Sequence, residues 1–262
     1  MEIFLEADTW IALLTLVFLE IVLGIDNIIF ISIATSSLPN EEAKKATNIG
    51  LILAMVMRIV LLFGISWLIS MEEPWITLDW PWIHAGFSGQ SLILLVGGLF
   101  LLYKSTSEIR DKVEGDGHHD LDTTSKGKSF GSVILQLTMI NIVFSFDSIL
   151  TAVGMTNGME GALILMIIAV VLSVLIMLLF AAPVGNFVQK HPTIQMLGLS
   201  FLILIGFMLI AEGMHLAHAS VFGQEVGVVP KGYLYFAITF SLLVEFLNMK
   251  MKRNKGAAPS TH

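Results

Sequence analysis

The sequence predicts an all-α, polytopic membrane protein with seven transmembrane helices, arranged as two inverted three-helix repeats plus one extra helix. Of its 262 residues, 55% are hydrophobic and 13% are charged, and the mean hydropathy is +0.83. Soluble domains average about 25% charged residues. A second observation is that long apolar runs alternate with short polar loops. A third is that two similar segments, centred on Asp26 and Asp147, lie 121 positions apart.

Each predicted span is an apolar run long enough, or nearly so, to cross a hydrocarbon core of about 30 Å. The runs show no period-two alternation, which favours helices over the strands of a membrane barrel. The amino terminus lacks the basic region of a cleavable signal peptide, so we expect the first run to remain as a helix. The seven runs lie at about 10–35, 48–70, 88–107, 131–156, 160–182, 193–211 and 232–249.

The basic residues predict which side of the membrane each loop occupies. In a seven-span chain, Lys231 alone falls on one side, and Arg58 lies within a span. Because cytoplasmic loops carry an excess of Lys and Arg, the amino terminus is expected outside and the carboxyl terminus in the cytoplasm. The other twelve basic residues share the cytoplasmic side: Lys44, Lys45, Lys104, Arg110, Lys112, Lys126, Lys128, Lys190, Lys250, Lys252, Arg253 and Lys255.

The outer loop Met71–Gly89 contains three tryptophans, at positions 75, 80 and 82, and no Lys or Arg. This composition is typical of an aromatic belt at the membrane interface. The longest polar stretch, by contrast, divides the chain near its middle and predicts a cytoplasmic linker. The predicted units are a first repeat at 8–104, the linker at 105–130, a second repeat at 131–212, a seventh helix at 232–250 and a cytoplasmic tail at 251–262.

Three spans precede the linker, so the second half enters the membrane with the opposite orientation. The two aspartate-bearing segments therefore run antiparallel, with each aspartate about 16 residues past the start of its span. Both are expected near the midplane, which is the plan of secondary transporters that bind their substrate between inverted repeats. An ionisable side chain at this depth costs roughly 2.5–3.5 kcal/mol on insertion scales. Asp26 and Asp147 are therefore predicted to be functional.

Polar residues accompany each aspartate at matching spacings. Glu20, Gly24 and Asn27 share one helix face, and in the second half Asn141, Ser145 and Ser148 repeat the pattern. We expect the helices to loosen at Gly24 and Ser145, which would turn the aspartates inward and free backbone carbonyls. The pooled donors are all oxygens or amides, which suits hard cations such as Mn²⁺, Ca²⁺ or Mg²⁺. Asn141 taken alone is more typical of a hydrogen bond between helices, and Glu20 fits either a structural or a functional role. The predicted metal ligands are Asp26, Asp147, Glu20, Asn27, Asn141 and Ser148.

Several other charged residues admit two interpretations. Arg58 is expected to pair with Glu20 or Asp26, or simply to stabilise the bundle. Lys104 and Glu212 are gates on opposite faces or interface anchors. Glu212, His215 and His218 are expected either to bind a metal weakly at the outer surface or to be ordinary exposed side chains. The second interpretation fits their surface positions better. The linker segment Gly117–Asp120 contains two histidines that are a metal sensor or merely solvated.

No catalytic or cofactor chemistry has positive support in the sequence. The chain has no cysteine, which excludes disulfides, thiolate metal sites and thiol catalysis. It contains no phosphate-binding glycine loop, no Ser/His/Asp grouping and no HExxH motif. We therefore expect a non-enzyme without cofactors, whose partners are a divalent metal ion and the lipid bilayer, with no nucleic acid. Homo-oligomerisation stays open.

The two aspartate motifs resemble those of the TerC family of integral membrane proteins. The resemblance is carried by Leu19–Asn27, Ser145–Gly154 and the segment Tyr103-Lys104-Ser105, and it extends over about residues 8–250. It implies a fold similar to that of the lysine-exporter superfamily and a bacterial inner-membrane location. Several members of the family are regarded as exporters of manganese or related divalent cations. By this likeness Asp26 and Asp147 are the metal-binding carboxylates.

The expected function is export of Mn²⁺ by alternating access through the site between the repeats. Burial favours the uncharged form of a carboxyl group, so proton-coupled antiport is one expected mechanism and a channel-like mechanism is the other. Two alternatives remain. One is a non-transporting assembly or scaffold factor, the role to which plant relatives are tied. The other is an exporter of Ca²⁺ or of an organic cation.

Overall fold

The computed structural model describes residues 7–36, 38–114, 129–156, 159 and 161–256. These residues form a helical bundle in which seven helices are long and apolar enough to cross a membrane. They are α1 (Ala7–Thr35), α2 (Asn40–Phe63), α4 (Gly89–Glu114), α5 (Phe130–Thr156), α6 (Ala162–Lys190), α7 (Pro192–Leu216) and α8 (Lys231–Gly256), with a short helix α3 (Ile65–Ser70) following α2. The all-α, seven-span prediction is confirmed.

Several helices extend beyond the predicted apolar runs. Helix α4 continues to Glu114, so the first ten residues of the predicted linker are helical. Its end is held by ion pairs one helical turn apart: Lys104 with Glu108 at 3.0 Å and Arg110 with Glu114 at 3.8 Å. Such pairs stabilise polar helix ends that protrude from an apolar core. The two linker histidines lie outside the described residues.

A small antiparallel sheet, which the sequence did not predict, covers one end of the bundle. Strands β1 (Pro74–Trp80) and β2 (Ile83–Ser88) form a hairpin in the tryptophan-rich loop. Strands β3 (Ser220–Val221) and β4 (Gln224–Glu225) come from the loop between α7 and α8, and β3 pairs with β2. This pairing places both loops at the same end of the bundle, as alternating spans require. We call this end the sheet face and the opposite end the linker face.

The helices pack in a pattern that is preserved when the two halves exchange places. In the two halves, α1 corresponds to α5 and α2 corresponds to α6. Helix α1 packs against α6, and likewise α5 packs against α2. The remaining helix of each half, α4 or α7, packs mainly against its counterpart. The aspartate-bearing helices α1 and α5 touch each other. This arrangement is the one expected of two intertwined repeats, and it brings the two similar segments into the centre of the bundle.

Helices α4 and α7 approach each other closely at a pair of glycines. A Cβ atom at Gly98 would lie 2.6 Å from the carbonyl oxygen of Gly206, and one at Gly206 would lie 2.9 Å from the carbonyl oxygen of Gly98. Neither contact leaves room for a methyl group, because the obstructing atoms are backbone. Small residues at such crossings let membrane helices associate through close packing.

Substitution of either glycine by alanine is expected to destabilise the bundle. Overpacking a tight interior contact typically costs about 1–3 kcal/mol, so Gly98→Ala and Gly206→Ala should lower the thermal unfolding temperature of the purified protein. Gly154→Ala is the matched control, since among the described residues no atom outside the adjacent helix backbone lies within 4 Å of a Cβ there. Equal unfolding temperatures for all three variants would show that the helix crossing tolerates a methyl group.

Candidate metal-cation site

The two aspartates occupy equivalent positions in their helices. Asp26 and Asp147 each lie nine residues before the end of their helix, at Thr35 and Thr156 respectively. At 1.5 Å per residue this is about 14 Å from each end. Because α1 ends at the linker face and α5 at the sheet face, the two residues are displaced from the helix centres toward opposite faces. The side chain of Asp26 lies outside the described part of the structure.

Neither helix loosens next to its aspartate, contrary to the prediction. Helices α1 and α5 are continuous through Gly24 and Ser145, so their carbonyls stay within the helical hydrogen-bond ladder. Gly24 has a different use. A Cβ there would collide with the Sδ atom of Met177. The Met177 side chain, from α6, fills the space beside Gly24, so this glycine is part of the packing between α1 and α6.

The carboxylate of Asp147 is bound by a lysine from the last helix. The Nζ atom of Lys231 donates to both carboxylate oxygens of Asp147 at 2.9 Å and to the Oγ1 atom of Thr151 at 2.8 Å. The side chains of Asp147 and Lys231 are 14% and 24% exposed. Charge-assisted hydrogen bonds of this kind are roughly twice as strong as neutral ones. Asp147 is thus a partly buried anion that already binds a cationic group.

A second acidic residue adjoins this pair. The carboxyl group of Glu212, on α7, lies close enough to Asp147, Lys231 and His215 to interact with them electrostatically. Asp147, Glu212 and Lys231 line a pocket of about 510 Å³, its open mouth included, that is formed by α2, α5, α7 and α8. Its lining residues include Arg58, Asp147, Ser148, Glu212 and Lys231. Glu212 therefore belongs to the pocket and is not only an interface anchor.

The Arg58 side chain pairs with Glu20, one of the two partners that the sequence predicted for it; the side chain of the other, Asp26, lies outside the described part of the structure. One guanidinium nitrogen of Arg58 donates to a Glu20 carboxylate oxygen, and the two side chains are 1% and 3% exposed. Within the described residues, the Nε atom of Arg58 has no hydrogen-bond partner. Arg58 also lines the Asp147 pocket. It therefore connects Glu20 of the first half with the pocket that contains Asp147 of the second half.

The smaller predicted ligands are all buried but have different surroundings. Asn27 is 3% exposed and Asn141 is 2% exposed. The amide of Asn141 donates to the carbonyl oxygen of Gly50 at 3.1 Å, which links α5 to α2. Ser148 donates to the carbonyl oxygen of Ser145 at 3.1 Å and reaches the pocket. The structure thus places Asp147 and Ser148 in one pocket. Glu20 does not line that pocket and is paired with Arg58, which does.

Sequence reasoning overlooked Lys231 and Glu212 as members of this group. In the predicted topology Lys231 is the one Lys or Arg on the outer side of the membrane. This exception was the feature of the sequence that could have pointed to a role for it. Of the predicted outer histidines, His215 hydrogen-bonds through Nδ1 to the carbonyl oxygen of Val226 at 3.1 Å. Within the described part of the chain, which does not include the Asp26 side chain, no three His, Asp or Glu residues are grouped as a metal site.

Comparison with known proteins shows the family of this chain. The integral membrane protein TerC family matches residues 5–257. The chain belongs to the TerC family. A UPF0053 protein from Haemophilus influenzae is 41% identical to this TerC-family chain over 248 residues, with 95% of the chain and 96% of the relative covered. No solved structure matches.

Two Escherichia coli relatives of this TerC-family chain are longer. The UPF0053 inner membrane protein YoaE is 42% identical over 257 residues, which cover 97% of this chain and 45% of YoaE. The UPF0053 protein YegH is 42% identical over 248 residues, covering 95% of this chain and 43% of YegH. The chain therefore spans under half the length of these relatives and almost all of the Haemophilus protein.

A second polar opening in this TerC-family protein lies at the linker face. It is formed by the end of α1, the start of α2 and the end of α6, and has a volume of about 980 Å³ with its mouth included. Ser32 and Thr35, which line it, are 1% and 0% exposed and donate their hydroxyl protons to carbonyls of their own helix. Their oxygen lone pairs remain available. Further polar lining comes from Asn40, Thr47, Asn48, Asn186 and Gln189.

Proposed function

We propose that this TerC-family protein exports Mn²⁺, or a related hard divalent cation, across a bacterial inner membrane. The observation that carries this proposal is the Asp147 carboxylate, which lies within a membrane span and binds an ammonium group in a pocket shared by helices of both halves. A carboxylate at this depth is costly and typically marks a path for ions. The carboxylate oxygens that bind this ammonium group are also donors of the type that binds hard metal cations.

The proposed ligands are carboxylate, hydroxyl and amide oxygens. Asp26 and Asp147 supply the two central carboxylates. Oxygen donors of this kind suit Mn²⁺, Ca²⁺ and Mg²⁺, whereas Cu⁺ prefers sulfur, of which this chain offers only methionine. We retain Glu20, Asn27, Asn141 and Ser148 as neighbours that complete the site when the helices rearrange.

Alternating access is supported by the two polar openings at opposite faces. The linker-face opening reaches Ser32, six residues beyond Asp26 on α1, which is about 9 Å along the helix. The Asp147 pocket is bounded by Lys231 and Glu212, which come from the sheet-face ends of α8 and α7. Each aspartate is thus closer to a different opening. Movement of one half against the other would expose a bound cation first to one opening and then to the other.

The experiment that tests this function measures metal accumulation in cells that lack their own manganese exporters. Expression of this chain should lower cellular manganese and restore growth at high manganese concentrations. Calcium and zinc are measured in the same cells. Unchanged cellular manganese with lowered cellular calcium would show that the exported cation is Ca²⁺ rather than Mn²⁺. Unchanged levels of all three metals, in cells where the protein is present in the membrane, would reject export.

The same cells separate transport from a scaffold or assembly role. Deletion of residues 115–128, in the linker, should leave manganese export in place, because the proposed site is built from residues of the membrane-spanning helices α2, α5, α7 and α8. A scaffold that docks partners through the linker would show the reverse. Its function would disappear with the deletion and persist when Asp147 is replaced by asparagine.

We propose that the sheet face lies outside the cell and the linker face in the cytoplasm. Because the chain contains no cysteine, a single introduced cysteine reports its own location. Phe222, at the tip of the β3–β4 hairpin, is 81% exposed. Phe222→Cys should react with a membrane-impermeant maleimide in intact cells, and Lys190→Cys, at the linker face, only after permeabilisation. The opposite pattern would invert the topology.

A further inference from the structure

Lys231 occupies the oxygen atoms that a transported cation would use. Its ammonium contacts three oxygens, namely both carboxylate oxygens of Asp147 and the hydroxyl oxygen of Thr151, all within 2.9 Å. Carboxylate and hydroxyl oxygens are the donor types that hard divalent cations bind. The ammonium and a metal ion cannot occupy these atoms together, because their charges repel and they need the same lone pairs.

The position of Lys231 is unfavourable for a lysine on local grounds. It is the first residue of α8, where the helix dipole presents partial positive charge and disfavours a cationic side chain. Glu or Asp would stabilise this helix end better. It is also the one basic residue on the sheet-face side of the predicted topology. Helix formation and membrane orientation therefore do not account for it, whereas the Asp147 carboxylate does.

The side chain can leave the carboxylate without unfolding the bundle. Lysine reaches Asp147 through a flexible chain of four methylene groups. It is attached where the segment 226–230, which has no regular secondary structure, meets α8. The backbone of α8 packs mainly against α7 rather than α5. The contact between Lys231 and α5 is thus made by a flexible type of side chain at the edge of the pocket.

We propose that Lys231 is a tethered competitor for the transported cation. Its ammonium holds Asp147 between transport cycles, and the incoming cation must displace it. This inference rests on the proposed function, since it specifies how the same site is occupied when no metal is bound. In this proposal Lys231 sets the affinity of the site for metal. Its ammonium binds Asp147 strongly enough to exclude weakly binding cations, and its return to Asp147 releases the bound metal.

The test is Mn²⁺ binding to the purified full chain in detergent, followed by the electron paramagnetic resonance signal of free Mn²⁺. Lys231→Gln removes the competing charge and should bind Mn²⁺ about tenfold more tightly than the parent, as expected if the lysine-free form makes up about a tenth of the population. Lys231→Arg keeps a cation at the site and should not gain affinity. Lys250→Gln is the matched control, because it removes the same charge from the far end of the same helix.

The outcomes separate the two proposals. Tighter binding by Lys231→Gln alone supports the competitor. Parent-like or weaker binding by this variant, with the parent and Lys250→Gln binding normally, overturns the competitor and leaves the transport proposal standing. No binding by any protein overturns both. If Lys231→Gln does not purify as a folded protein, Lys231→Met replaces it, because methionine also lacks the charge and retains the apolar part of the side chain.

Discussion

Asp147→Asn is expected to reduce manganese transport by the protein in reconstituted vesicles by at least about 10–100-fold. Loss of groups that merely support a metal ligand typically has an effect of this size, and the ligand itself should matter no less. Asparagine has nearly the same shape and keeps an oxygen that can accept a hydrogen bond from Lys231. The fold should therefore survive, and the loss should come from the missing charge.

The matched control for this variant is Asp111→Asn. Asp111 lies near the end of α4 with 59% of its side chain exposed, and its replacement also removes one negative charge. Its transport rate should equal that of the parent. Initial rates of manganese uptake, measured at equal amounts of incorporated protein, provide the comparison. Parent-like rates for Asp147→Asn would remove Asp147 from the cation path.

Arg58→Met is expected to cause the largest loss of stability among single substitutions of polar residues. It leaves the Glu20 carboxylate buried without its partner, and removal of one member of a buried ion pair typically costs about 3–5 kcal/mol. Both side chains are at most 3% exposed, so solvent screening offers little relief. The measurement is thermal unfolding of the purified protein in detergent, read from the fraction that remains monodisperse after heating.

A double variant distinguishes the ion pair from the packing of its side chains. Glu20→Met combined with Arg58→Met removes both charges and should unfold closer to the parent than either single variant does. Glu41→Gln is the control, since it breaks an exposed pair with Lys44 that is worth only about 0–1 kcal/mol. If Arg58→Met unfolds at the parent temperature, the buried pair contributes nothing to the fold.

The sequence predicted the spans and their order because those features depend on local composition. It missed the four-stranded sheet, since β3 and β4 have only two residues each and exist through pairing of β3 with β2 and of β4 with β3. It also misjudged Gly24. A glycine in a membrane helix can be a hinge or a point of close contact, and the choice depends on Met177, which lies 153 positions away in the sequence.

The candidate site was partly predictable for the same reason. Asp147 stands out as the single carboxylate of the apolar run 131–156, and Asp26 shares the run 10–35 only with Glu20. Glu212 and Lys231 lie near the ends of α7 and α8, where charged residues commonly anchor helices at the interface. Only the packing of α5 against its neighbours places Lys231 at Asp147, 84 positions away. The number and identity of the partners of a buried charge are thus properties of the tertiary structure.

The measurement that bears most directly on the central claim is the stoichiometry of Mn²⁺ binding to the purified chain and to two variants. If Asp26 and Asp147 together bind the transported cation, the parent binds one Mn²⁺ at this site. Asp26→Asn and Asp147→Asn should then each lose it, while all three proteins unfold at similar temperatures without metal. Parent-like binding by both variants would contradict a shared site between the two halves.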